Sequence, residues 1–142
     1  MSQEHDFKVA VLGCSGIGRL VSTVVRQAVY MIANDRPDDV VIMSAGELTG
    51  DVAEGLEAAK KYPLVVIDGC RPKCATAIAA GKDLNIAAQV WVPKVAAKYK
   101  QSIAGENRVA LGEKGMALAR RVADEAIDEI DLALAEEAMS TL

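Results

Sequence analysis

The chain has 142 residues, 51% of them hydrophobic but only 4% aromatic, and a net charge of −4. That length suffices for one domain, residues 1–142, with a core of small aliphatic side chains. The acidic balance excludes a basic nucleic-acid footprint, and no apolar run approaches the roughly 20 residues of a membrane span.

The opening segment, Met1 to Asp6, is polar and acidic, so it is no secretory signal and is expected to be a disordered tail. A cytoplasmic protein is expected, with neither nucleic acid nor membrane as partner. The first strand is expected over Lys8–Leu12. A helix follows, in which Ile17, Leu20, Val21, Val24, Val25, Ala28, Val29 and Ile32 recur at helical spacing. Val40–Met43 reads as the second strand, and Val52, Leu56 and Ala59 as one helix face, with Thr49 as its N-cap. Leu64–Ile67 reads as the third strand. The helix after it has Pro72 near its first turn and stops near Gly81, matching the preference for proline at helix starts and glycine at helix ends. Gln89–Val92 reads as the fourth strand, with Trp91, Pro93 and Lys94 at its end and Lys94 placed to meet an anion. Residues 94–112 are the least regular stretch and are expected to form a mobile flap. The last helix spans Glu113 to Met139, with Met116, Ala119, Val122, Ala126, Ile127, Ile130 and Leu134 as its apolar stripe. Its carboxylates, Asp124 to Glu137, read as a solvated outer face, and its stripe offers a homodimer surface.

Strands alternating with helices imply an α/β three-layer sandwich with a mostly parallel, four-stranded sheet of Rossmann or flavodoxin-like type. Right-handed crossovers favour the order 2-1-3-4. Strands one and three are then neighbours with crossovers on opposite faces, and ligands bind outside the carboxyl ends of strands at such a switch point.

All three cysteines fall there: Cys14 after the first strand, Cys70 and Cys74 after the third. Three cysteines in a reducing compartment point to thiol or metal chemistry rather than disulfides. Each lies close to an expected helix start, with Arg19, Arg71 and Lys73 nearby, so lowered thiol pKa values are expected. Cysteine also serves as a small buried hydrophobe, but three of three at one sheet edge favours a joint role.

The run Val65-Val66-Ile67-Asp68-Gly69-Cys70-Arg71-Pro72-Lys73-Cys74, with Cys14-Ser15-Gly16 upstream, resembles the DGC-domain family over roughly Lys8 to Trp91. That family takes its name from the Asp-Gly-Cys motif. The resemblance implies a zinc site with Cys14, Cys70 and Cys74 as ligands. Another family cysteine commonly ends the second strand, where this chain has Met43 or Ser44. With three thiolates, the fourth ligand falls to Asp68, Met43, His5 or water, and water leaves an open position suited to catalytic zinc or an iron–sulfur cluster. Asp68 before Gly69 also suits a turn cap, Met43 suits the core, and His5 sits in the polar tail. Asp68 and Ser15 are expected to orient the loops and hydrogen-bond the sulfurs.

Gly13-Cys14-Ser15-Gly16-Ile17-Gly18 also suits an anion, because glycines let backbone N–H groups approach a phosphate. With Ser22 and Thr23 it resembles the phosphocysteine loop of sugar-phosphotransferase IIB subunits, which makes Cys14 a nucleophile. That alternative leaves Cys70 and Cys74 unexplained, and Gly16 and Gly18 equally suit a tight turn. The leading expectation is a metal carrier or accessory protein, with a metal ion and a partner protein as its partners. It is an enzyme only if the fourth position is open.

Overall fold

The computed structural model describes residues 7–14, 16 and 18–140. The tail with His5, and the loop residues Ser15 and Ile17, lie outside the described residues, so the expectations placed on them stay there.

The elements run β1 (Val9–Gly13), α1 (Leu20–Asp35), β2 (Val40–Ile42), α2 (Ala45–Thr49), α3 (Ala53–Lys61), β3 (Leu64–Asp68), α4 (Cys74–Gly81), β4 (Ile86–Trp91), α5 (Val92–Tyr99) and α6 (Glu113–Ser140). All strands are parallel and ordered β2-β1-β3-β4, as the sequence pattern implied. The two central strands are the continuous apolar runs: Val9–Leu12 and Leu64–Ile67 are wholly buried. The edge strands are only partly covered, and Ile42 of β2 is exposed.

α1 and α6 pack on each other and on the central strands, with α5 beside them; α4 packs on β3 and β4, with α2 against it. The apolar stripe of α6 is therefore used inside the chain. Ala119, Val122, Ala126, Ile127 and Ile130 are buried within the chain. Its register differs slightly from the one expected: Leu118, Ala123 and Ala133 are buried, whereas Met116 is exposed. The carboxylate face is solvated and ion-paired, with Asp131 on Arg36 and Asp124 on Arg120.

Three local expectations are corrected. Thr49 is the last residue of α2, not the N-cap of the next helix. Ser44 caps α2 instead, accepting from the Glu47 amide at 3.4 Å, the Ser-x-x-Glu pattern of a capping box. α3 starts after Val52 with no side-chain cap. The first part of the supposed flap is helical: α5 runs over Val92–Tyr99, with Pro93 in its first turn where a missing N–H costs nothing. Residues 100–112 form an irregular strap that is tied down: Thr23 Oγ1 donates to the Arg108 carbonyl (2.5 Å), and the Gly115 amide of α6 donates to Glu106 (2.6 Å).

Candidate functional site

β1 and β3 end side by side, and the ladder continues one step past β1: the Cys14 amide donates to the Ile67 carbonyl at 3.0 Å. Cys14 is thereby held at the carboxyl edge with its side chain buried (8% exposed). From the other strand end, Asp68, Gly69 and Cys70 turn into α4, whose first residue is Cys74. The three thiols are free; Cys70 is half-buried and Cys74 exposed. All three line one cavity of about 230 Å³, together with Gly16, Arg19 and Ser22. The sheet order thus brings together residues some sixty positions apart in the chain.

Each residue of the Asp-Gly-Cys run has a separate task. Asp68, almost fully buried, caps α4: Oδ1 accepts from the Ala75 amide at 2.9 Å and Oδ2 from Thr76 Oγ1 at 2.5 Å. One of the orphan backbone donors of the helix start, the Ala75 N–H, is so satisfied, and the Thr76 hydroxyl fixes the second oxygen. Gly69 is required by close approach. A Cβ there would lie 2.9 Å from the Val21 carbonyl oxygen of α1 and 3.3 Å from the Cys14 sulfur. Its amide donates to Cys14 Sγ at 3.3 Å, which ties the two cysteine loops together. Cys70 starts the turn: its carbonyl accepts from the Lys73 amide at 3.2 Å and from the Trp91 indole N–H at 3.1 Å. Lys73, in the left-handed region (φ 49°), lays its ammonium 4.7 Å from the Trp91 ring centre.

The expectation of a lowered Cys14 pKa is overturned. Burial pushes this thiol up; the Gly69 amide and Ser22 hydroxyl (3.9 Å) pull it down by less, and the charges of Asp68 and Cys70 push it further up. The helix start on which the expectation rested also lies elsewhere. α1 does not start at Cys14 but at Leu20, so the sulfur has no helix N-terminus behind it.

Of the other expected residues, Gly16 is exposed and lines the cavity. Gly18 lies outside it, in the left-handed region (φ 94°), with its carbonyl accepting from the Arg108 guanidinium at 3.1 Å. Met43 packs against the core. Lys94 lines a different cavity, beside Trp91, Glu125 and Glu129. The residue that sequence reasoning missed is Ser22: it was read only as part of an anion loop, yet it is buried against Cys14. Its signal was a serine on the apolar face of a helix, next to Val21 and Val24.

Three thiol sulfurs on one cavity form a donor set that suits zinc and other soft cations. Among the described residues, no three Cys, His, Asp or Glu side chains are gathered into a ready ligand cluster. Asp68 is committed to its helix cap on both oxygens and does not fit as a fourth ligand. No helix among the described residues is long and apolar enough to cross a membrane.

No curated protein and no solved structure matches the chain. A family model, the DGC domain, matches residues 10–114, which takes in β1, both cysteine loops, β4 and the strap. With the Asp-Gly-Cys run at the junction of β3 and α4 and all three cysteines on one cavity, the chain belongs to the DGC-domain family.

Proposed function

We propose that this chain binds a soft metal ion, zinc in the first place and an iron–sulfur centre next, through Cys14, Cys70 and Cys74. The observation that carries this is the convergence of all three cysteines of the chain on one cavity at the sheet's carboxyl edge. The Gly69 N–H aimed at Cys14 Sγ supports it, because such a bond favours sulfur carrying negative charge. Metal binding requires the Cys14 thiol to lose its proton, so uptake is coupled to proton release. Bound zinc would supply a Lewis acid and a stable home for three thiolates. Cys74, exposed at the rim, is the donor most easily offered to or withdrawn from a partner. With Asp68 engaged elsewhere, the fourth position goes to a donor from outside the cavity wall, which suits a carrier or accessory protein that passes its ion on.

The phosphocysteine alternative is supported less well. Cys14 is buried with a raised pKa and lies ahead of α1 rather than at its start, so the chain does not prepare a thiolate nucleophile there.

The test is metal analysis by mass spectrometry on untagged protein purified without oxygen, together with its visible spectrum. About one zinc per colourless chain is expected. Each single cysteine-to-serine variant should lose most of it. Brown protein containing iron would select the cluster instead. No metal after reconstitution, or metal retained in the triple variant, would overturn the proposal.

A further inference from the structure

Some basic side chains are paired with carboxylates and others are left unpaired. Arg36 pairs with Asp39 and Asp131, and Arg120 with Asp35 and Asp124. Lys82 and Lys98 likewise pair with Asp51 and Glu125. Among the described residues, Arg19, Arg26 and Arg108 have no carboxylate partner, although acidic residues outnumber basic ones 20 to 16.

Arg26 and Arg108 face one cleft of about 380 Å³, completed by Gly18, Thr23 and Val109. That size falls within the range of about 300–1,000 Å³ usual for small-molecule sites. Thr23 and Arg26 lie three residues apart on α1 and share a face. Arg108 comes from the strap, which Thr23 anchors through the Arg108 carbonyl. Among the described residues, no carboxylate lines this cleft, the cysteine cavity, or the cavity that Arg26 shares with Cys14 and Met43. A pair of guanidiniums without counter-charges keeps its charge at every physiological pH and presents planar forks that match phosphate oxygens. One of them is also already turned toward the glycine loop, through Arg108 and the Gly18 carbonyl.

We infer that the Arg26–Arg108 cleft binds the phosphate group of a small phosphorylated molecule. The ligand's dianion sits between the two guanidiniums, and its remaining atoms extend toward the loop that carries Cys14. This site uses none of the three thiols and stands or falls separately from the metal.

The test is an NMR titration of the as-purified, nitrogen-15-labelled protein with inorganic phosphate, at ionic strength held constant with sodium chloride. Saturable shifts are expected at the Gly18, Thr23 and Arg108 amides and at the arginine Nε–H groups. Arg26→Gln should weaken binding about tenfold, as expected for one lost charge-assisted bond. The double variant with Arg108→Gln should abolish saturation. Both side chains are exposed, and the spectrum itself reports whether the variants fold. Arg36→Gln, outside the cleft, should bind phosphate normally, and acetate should bind more weakly than phosphate. Shifts that never saturate, saturation that survives the double variant, or acetate binding as tight as phosphate would each overturn the inference. The triple cysteine-to-serine variant should retain phosphate binding whether or not the wild type holds metal.

Discussion

Gly69 shows why one small residue stands between an aspartate and a cysteine here. The strand end presses against α1 so closely that a methyl group would overlap the Val21 carbonyl and crowd the Cys14 sulfur. Gly69→Ala is therefore expected to lower stability by about 1–3 kcal/mol, the cost of overpacking, measurable as a shifted urea midpoint. The thiols themselves should react in order of exposure. In the metal-free protein, iodoacetamide should modify Cys74 first, Cys70 next and Cys14 last, as read by peptide mass spectrometry. The pH dependence has a definite sign. Burial raises the folded Cys14 pKa above its unfolded value, so the unfolded chain loses this proton first as pH rises. Metal-free protein should thus lose stability as pH climbs through the ordinary thiol range toward the folded pKa. Cys14→Ser should flatten that part of the profile. A wild-type profile that is already flat there would contradict the assignment.

Among the elements, α4 depends most on one side chain outside itself. Asp68 is the cap that its own N-cap residue, Lys73, cannot provide. Asp68→Ala should cost about 1–3 kcal/mol, while Asp68→Asn, which keeps an oxygen for the Ala75 amide, should cost less. Guanidinium or thermal unfolding of the two variants separates these outcomes. The same element scale shows what was legible beforehand. β1 and β3 were readable because strands covered on both faces demand unbroken runs such as Val9–Leu12 and Leu64–Ile67. Those two runs, with the crossover rule, suffice to place Cys14 beside Cys70. β4 was read three residues late, because Ala87 and Ala88 carry no strand signal of their own; Ile86 and Ala88 are recruited by pairing with β3, and Ala87 is the extra residue where the register shifts. α2 was missed because it is held by a single cap at Ser44 rather than by a periodic face. The thiol pKa was misread because the sequence does not show that α1 starts only at Leu20, with five residues between it and Cys14, nor that Cys14 is buried.

For the molecule as a whole, the question is what holds α6 in place against α1 and the core. Two kinds of contact are available. Arg36 makes a bidentate bridge to Asp131 (2.5 and 2.9 Å), but both partners are partly solvated. Ile130 of α6 is fully buried in the core. Arg36→Ala should cost less than about 1 kcal/mol, and Ile130→Ala about 2–5 kcal/mol. Comparable losses in equilibrium unfolding would mean that the ionic contacts carry more of this interface than their exposure allows.

The bond from the Trp91 indole to the Cys70 carbonyl also has an optical consequence. The chain has a single tryptophan, and nature has wired it to the backbone of the cysteine turn with a lysine charge over its ring. Its emission is a built-in gauge of that turn. Any event that moves Cys70 or lifts Lys73 changes the field on the indole, so titrations at the sheet edge can be followed by fluorescence in the unlabelled protein.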